Sequence, residues 1–95
     1  MSTDTIKMDV TVRMNEKGQS KIRAYATVVL DRLIRIRGIK VIEGPQGLFI
    51  GYPNFKNPQG KFLEFVVPEN REIRNIIQQR VLQSFADEKA KRNAA

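Results

Sequence analysis

The sequence predicts an α+β domain, in which an antiparallel sheet of about five strands is followed by one C-terminal amphipathic helix. Two observations support this prediction. Apolar and polar residues alternate with the period of a strand as far as Pro68, and beyond Pro68 the period becomes that of a helix. A chain of 95 residues with 41% hydrophobic content can bury one modest core. We therefore expect a single domain over residues 1–87 and a basic, frayed tail over residues 88–95.

The predicted strands are separated by segments that are typical of turns. We predict five strands, at residues 8–14, 22–30, 33–42, 48–52 and 61–67. The first two form a hairpin around a turn at residues 15–19. In the third strand the apolar phase slips after Gly38, which indicates a β-bulge. A turn at residues 43–47 and a loop at residues 54–60 separate the remaining strands.

The helix predicted after Pro68 has a recognisable start and one apolar face. Asn70 is suited to cap its N-terminus. Five apolar residues fall on one face, namely Ile73, Ile76, Ile77, Val81 and Phe85. Arg80 lies inside this apolar sector, so its side chain must reach the edge of the sector or meet a partner chain.

The residue types that the chain lacks restrict its chemistry. The absence of Cys excludes disulfides, thiolate metal sites and a cysteine nucleophile. The absence of His removes the usual acid–base residue and the commonest transition-metal ligand. No nucleophile–base pair or set of metal ligands can be assembled from the remaining side chains. The sequence thus predicts no enzyme, no cofactor, no metal and no small-molecule substrate.

The sequence also gives an expectation for location. No apolar run approaches the roughly eighteen residues that span a bilayer, and residues 1–5 lack the basic and apolar regions of a signal peptide. We expect a cytoplasmic protein without a membrane partner.

The positive charge of the chain is concentrated rather than spread evenly. The stretch from Arg13 to Lys40 holds eight positive residues and two negative ones, Glu16 and Asp31, so it carries +6 of the net charge of +7. Such a field favours a polyanion such as nucleic acid, or an anionic membrane surface. The alternative is that the charge serves solubility. Because the core is thin, dimerisation is a natural way to bury more apolar surface.

Two residues of the third strand are candidates for contact with phosphates. Alternation places Arg35 and Arg37 on one sheet face about 7 Å apart, roughly one phosphate spacing on a single strand. Two alternatives remain open: the arginines pair with carboxylates across strands, or the helix packs on that face and buries their stems.

Three helix residues are candidate donors to nucleic acid, and one glycine-rich turn could be mistaken for a phosphate loop. Arg71, Arg74 and Gln78 lie at spacings of three and four residues, which would align them as donors for phosphates or base edges. A solvated helix face is the alternative explanation. The turn at residues 44–47 lacks the spacing of a phosphate loop and a following helix, which indicates a plain turn.

The middle of the chain resembles the SpoVG family (stage V sporulation protein G). The resemblance rests on Leu30-Asp31, residues 39–44 and residues 47–50, which follow the family's order and spacing. It continues through Pro53, Gly60, Phe62 and Pro68, and in the helix through Asn70, Arg74, Ile77, Gln78, Val81, Leu82 and Phe85. The match is ungapped from about Leu30 to Phe85 and looser back to Met8.

The resemblance implies a cytosolic bacterial protein that dimerises through its sheet and is linked to septum formation and sporulation. Members of the family bind DNA and RNA, and a basic pair in the loop after a Met-Pro dipeptide, together with the helix, is tied to that contact. Here Lys56 keeps one member of the pair, whereas Phe55 replaces the other. The family's Asp-Ile before the last proline is Glu64-Phe65 here.

The departure at Phe55 changes the chemistry expected of the loop. Lys56 is expected to contact a phosphate, and Phe55 offers a ring on which a base can stack. The alternative is that Lys56 is only solvated and that Phe55 packs within the protein or at a dimer contact.

These observations together predict a dimeric DNA- or RNA-binding regulator of the septation and sporulation type. It would contact nucleic acid through basic loop, sheet and helix residues. The alternative is a protein-interaction module in the control of cell division that does not bind nucleic acid directly.

Overall fold

The computed structural model describes residues 6–16 and 20–94, which fold into an antiparallel sheet, a short hairpin and one long helix. The elements are β1 (Met8–Met14), β2 (Ile22–Leu30), β3 (Ile34–Gly44), β4 (Gly47–Gly51), β5 (Asn54–Lys56), β6 (Phe62–Glu64) and α1 (Arg71–Ala94). Strands β1 to β4 pair in sequence order, and β5 pairs with β6 in a separate sheet. The α+β class is confirmed. The predicted turn at residues 15–19 includes 17–19, which lie outside the described residues.

The predicted five-stranded sheet is replaced by four strands and a hairpin. Residues 54–56, predicted as part of a loop, pair with Phe62–Glu64 across a tight turn. The amide of Gly60 donates to the carbonyl oxygen of Asn57 at 2.9 Å, and Gly60 has a φ of 87°. Pro53 separates this hairpin from β4 because it has no N–H to offer a continuing ladder. The last strand therefore leaves the main sheet.

The β-bulge predicted at Gly38 is confirmed. Arg37 and Gly38 together stand opposite Thr27 on β2. Gly38 has a φ of 80°, which a residue with a side chain adopts only at a cost in energy. Because of the extra residue, Ile36 and Ile39 are both buried although three positions separate them.

A second bulge lies on β2, where alternation predicted a regular strand. Ile22 pairs with Ile42 and Ala24 pairs with Val41, so Arg23 is the extra residue. Directly paired residues of an antiparallel sheet share a face. Ile22 therefore lies on the face opposite Ala24, although regular alternation along the strand would put both residues on one face.

Helix α1 packs on one face of the four-stranded sheet. Its residues Ile77, Val81 and Phe85 are buried, as predicted from helical spacing, and Ile73 and Ile76 pack at the margin. They meet a cluster of buried strand and loop residues, namely Met8, Ala24, Ala26, Val28, Ile36, Ile39, Val41, Ile50 and Tyr52. This cluster is the core of the domain.

Side-chain hydrogen bonds fix the start and the middle of α1. The Oδ1 atom of Asn70 accepts a hydrogen bond from the amide of Ile73 at 2.8 Å, which confirms the predicted cap. The guanidinium of Arg80 donates to the carbonyl oxygen of Met8 at 2.6 Å. Arg80 thus reaches the edge of the apolar sector and attaches the helix to the first residue of β1.

The helix continues through residues 88–94, where the sequence predicted a frayed tail. Arg92 pairs with Glu16 beyond the end of β1, with 3.1 Å between Nη1 and Oε1. Basic residues in the last turn are also favourable next to the negative end of the helix dipole. The basic segment is therefore part of α1.

Two isoleucines of β3 differ in burial and provide a test of the core. Ile39 is fully buried, whereas Ile34 is 60% exposed. Replacing Ile39 by Ala should lower the free energy of unfolding by about 2–5 kcal/mol, because it removes buried methylene groups and leaves a cavity. Ile34→Ala should change it by less than about 0.5 kcal/mol. Urea denaturation measures both, and equal losses would contradict this assignment of the core.

Candidate nucleic-acid interface

The outer face of the sheet, defined here as the face of β1 to β4 that α1 does not cover, carries Arg35 and Arg37. Both residues are exposed and flank the buried Ile36. Coverage of these arginines by the helix, one of the alternatives, is therefore wrong. Neither arginine forms an ion pair with any residue in the described ranges. Both guanidiniums are available to a ligand.

A cross-strand row on the outer face was missed by the sequence analysis. Tyr25 pairs with Arg13 on β1 and with Lys40 on β3. Side chains of directly paired residues lie about 5 Å apart at Cβ, and Tyr25 is 40% exposed. A ring between two cations can combine stacking on a base with contacts to phosphates.

The position of Lys40 in this row depends on the bulge at Gly38. If residues 36–40 alternated regularly, Lys40 would share the face of Ile36 and point toward α1; the bulge shifts it to the outer face. The break in alternation at Gly38 is the feature of the sequence that indicates the outward position of Lys40. The row itself also depends on the pairing of Tyr25 with Lys40, which alternation within one strand does not give.

Arg23 is positioned differently from the cations of the outer face. It forms an ion pair with Glu43, and both residues line a cavity of about 270 Å³ that also contacts Phe85 and Lys89 of the helix. The hydrogen bond and the charge of Arg23 hold the pKa of Glu43 below its usual 4.5, against a small opposing effect of desolvation. Arg23 is therefore engaged on the helix side and does not contribute to the outer face.

The β5–β6 hairpin presents Phe55 and Lys56 on its first strand. The ring of Phe55 stacks on that of Phe65, with 4.7 Å between centroids and 27° between planes. The ammonium group of Lys56 lies 5.9 Å from the ring centroid of Phe62. Both residues are exposed. Phe55 thus packs within its own hairpin while keeping part of its ring accessible.

The start of α1 presents Arg71 and Arg74 to solvent, whereas Gln78 is half-buried. Burial raises the pKa of Tyr52, and the charge of Arg74 opposes the rise. Tyr52 is buried, and its hydroxyl has no hydrogen-bond partner among the described residues. The first turns of the helix are thereby placed beside the end of β4.

Tyr52 and Pro53 form a junction between the hairpin, the bulge and the helix. A methyl group on Gly38 would lie 3.9 Å from Cγ of Pro53, so the proline sits against the bulge. The amide of Phe65 donates to the carbonyl oxygen of Pro53 at 2.9 Å and closes the base of the hairpin. The hairpin thus leaves the domain between the bulge that contains Arg37 and the helix turn that contains Arg74.

Neither a metal site nor a membrane-spanning helix is found in the part of the chain that the structure describes. Among residues 6–16 and 20–94, no three Asp or Glu side chains lie close enough together to hold a metal ion. No helix in the same ranges is long and apolar enough to cross a membrane. The turn at residues 45–46 leads directly into β4 and not into a helix, so it is a plain turn, as predicted.

Comparison with known proteins identifies the family. The model of the SpoVG family matches residues 6–87. The chain belongs to the SpoVG family. A relative in Thermoanaerobacter sp. (strain X514), named "Putative septation protein SpoVG", is 42% identical over 88 residues, which are 92% of this chain and 91% of that protein.

Two further relatives carry the same name. The SpoVG protein of Caldanaerobacter subterraneus subsp. tengcongensis is 42% identical over 86 residues, or 90% of each chain. That of Symbiobacterium thermophilum is 40% identical over 75 residues, which are 78% of this chain and 54% of that protein. The chain therefore spans about half the length of the Symbiobacterium relative.

The Arg23–Glu43 pair of this SpoVG protein predicts a specific dependence of stability on pH. Because the pKa of Glu43 is lowered in the folded state, the pair stabilises the protein above pH 4.5 and loses its effect as the pH falls through the folded-state pKa. Glu43→Gln should therefore lower the urea midpoint at pH 7, and its difference from wild type should shrink below pH 4.5.

The control for this experiment is Glu69→Gln, because Glu69 forms no ion pair with any described residue. Arg23→Gln should reproduce the pH dependence of Glu43→Gln. If the urea midpoint of Glu43→Gln stays below that of wild type by the same amount from pH 7 to well below pH 4.5, the result contradicts the interaction.

Proposed function

We propose that this member of the SpoVG family is a cytoplasmic DNA- or RNA-binding regulator that acts as a dimer in the control of septation. The observation that carries the proposal is the set of unpaired cations on the outer face. These residues are Arg13, Arg35, Arg37 and Lys40, none of which has a salt-bridge partner among the described residues. The proposal is for a binding protein and contains no catalytic step.

The charges of the outer face fit a polyanion. Exposed guanidinium and ammonium groups contact phosphate oxygens, and their binding releases counterions from the nucleic acid. Asp9 lies on the same face, in a row with Val29 and Arg35. Since no ion pair joins Asp9 to Arg35, the arginine stays available. The septation role is supported by the names of the relatives alone.

Further groups extend the proposed contact around the junction. Lys56 and Phe55 on the hairpin, and Arg71, Arg74 and Gln78 on the helix, belong to the proposed surface together with Arg35 and Arg37. Arg37 directly precedes Gly38, which lies against Pro53, and the charge of Arg74 acts on Tyr52. Lys56 projects from the hairpin that starts there.

The same face also offers an apolar row for dimer formation. Ile22, Ile42 and Phe49 pair across β2, β3 and β4, and Phe49 is 44% exposed. This row lies at the end of β3 that is farther from Arg35 and Arg37. We place the dimer contact there, where apolar side chains can be buried while the arginines stay accessible.

A second candidate function is a protein-interaction module in cell division. The apolar row that contains Phe49 favours such a module, because large exposed hydrophobic residues at neighbouring positions often mark protein contacts. This alternative requires that loss of the outer cations has no effect on function. The dimeric nucleic-acid-binding protein requires the reverse.

The affinity for nucleic acid should depend strongly on salt and on the outer arginines. The double variant Arg35→Gln/Arg37→Gln should bind duplex DNA more weakly. It should also reduce the slope of log K against log salt by about 1.8, at roughly 0.9 for each lost phosphate contact. Fluorescence anisotropy at a series of salt concentrations, on DNA and on RNA, measures the slope.

Arg23→Gln is the matched control for this experiment, because it removes an arginine that is engaged by Glu43 on the helix side. It should leave the slope unchanged. Binding that does not vary with salt, or an equal effect of Arg23→Gln, would contradict the proposed surface.

The dimer should depend on Phe49. Phe49→Glu places a charge in the apolar row and should convert the protein to a monomer in sedimentation equilibrium, because a buried unpaired carboxylate is costly. Leu33→Glu is the control, since Leu33 is highly exposed in the turn between β2 and β3. A Phe49→Glu protein that keeps the wild-type mass would exclude this dimer contact.

A further inference from the structure

The β5–β6 hairpin concentrates exposed aromatic rings outside the core. Phe62 and Phe65 are 69% and 68% exposed, more than any other aromatic residue that the structure describes. All residues of β5 and β6 are exposed, and the hairpin pairs with no strand of the main sheet. Most of the surface of Phe62 and Phe65 is therefore open to a ligand.

The two faces of the hairpin differ in what lies beside their aromatic rings. Phe55 pairs with Leu63, and Phe65, two residues further along the chain, stacks on Phe55 from the same face. Lys56 pairs with Phe62 on the other face, where its ammonium lies 5.9 Å from the ring. One face is thus a pair of stacked rings, and the other is a ring with a cation.

We infer that the hairpin binds unpaired bases, so that it adds to the outer face a contact that single-stranded nucleic acid makes and a duplex does not. This inference rests on the nucleic-acid binding proposed above. An aromatic ring stacks on the face of a nucleobase, and the contact is worth about 1–3 kcal/mol per base. In a duplex those faces are covered by neighbouring base pairs. Only a single strand, a loop or an end can offer bases to Phe62 and Phe65.

The charges next to the rings favour a single-stranded polyanion over an apolar protein partner. Lys56 and Lys61 belong to the hairpin, with Glu64 as its acidic residue, and Arg74 lies near its base. The fully buried centre of a protein–protein contact is depleted of charged residues, and lysine in particular. Here a lysine lies directly beside an exposed ring, an arrangement suited to a base and its phosphate.

The test compares single-stranded with duplex binding in variants that remove a ring but keep an apolar side chain. The probes are a labelled oligothymidine of roughly 16 nucleotides and the same strand annealed to oligoadenine. Phe62→Leu and Phe65→Leu should each weaken single-strand binding by roughly five-fold or more, with the duplex affinity and the salt slope unchanged. Phe62→Tyr, which keeps the ring, should bind like wild type.

Lys56→Gln distinguishes the contribution of the charge to binding from that of the rings on the same hairpin. It should reduce the salt slope on the single strand by about 0.7, the value for one phosphate contact, which the leucine variants should not do. Thermal unfolding of each variant should match wild type, because the replaced side chains are exposed.

Three outcomes would overturn the inference. If the protein binds nucleic acid but both leucine variants keep the wild-type single-strand affinity, the inference fails while the proposed function stands. If the leucine variants instead alter the sedimentation of the free protein, the rings are a contact between copies of the chain. If wild type binds neither probe at any salt concentration, the proposed function fails and the inference fails with it.

Discussion

One helix can cover only one face of a four-stranded sheet, and this constraint sorts the charges of the molecule. On the covered side, three arginines have partners: Arg23 bonds to Glu43, Arg80 to a backbone carbonyl and Arg92 to Glu16. Each of these bonds joins two segments on the helix side of the sheet. On the outer face, the described cations have no ion-pair partner. That asymmetry is the basis of the proposed interface.

The junction at Tyr52 and Pro53 determines where the remaining candidate residues lie. Tyr52 belongs to the core, whereas Pro53 directs the chain out of the main sheet. The hairpin therefore begins between the bulge of β3 and the first turns of α1. The hydrogen bond from the Phe65 amide to the Pro53 carbonyl closes its base, while the rings of Phe62 and Phe65 lie exposed outside the core. Cations of the sheet and of the helix can then contact the same ligand as the exposed rings of the hairpin.

Local patterns predicted most of the fold, whereas pairing between distant segments was not accessible from them. The bulge at Gly38 was predicted because a glycine coincides with a slip in alternation. The bulge at Arg23 has no such residue and was missed. The separate hairpin depends on the pairing of Phe55 with Leu63, which no short-range pattern shows. Lys56 and Arg74 came from the family resemblance, while the row through Tyr25 required the register of three strands.

The bulge on β3 has a consequence for how this gene can change. Between Ile36 and Ile39, β3 has one residue more than the paired part of β2. Loss of the Gly38 codon would therefore give a regular ladder and leave Ile39 and Val41 on the core face and Lys40 on the outer face. Loss of the Lys40 codon, at a regularly paired position, would instead turn Val41 outward. Deletions of one codon should therefore be tolerated better at Gly38 than at the regularly paired positions of β3.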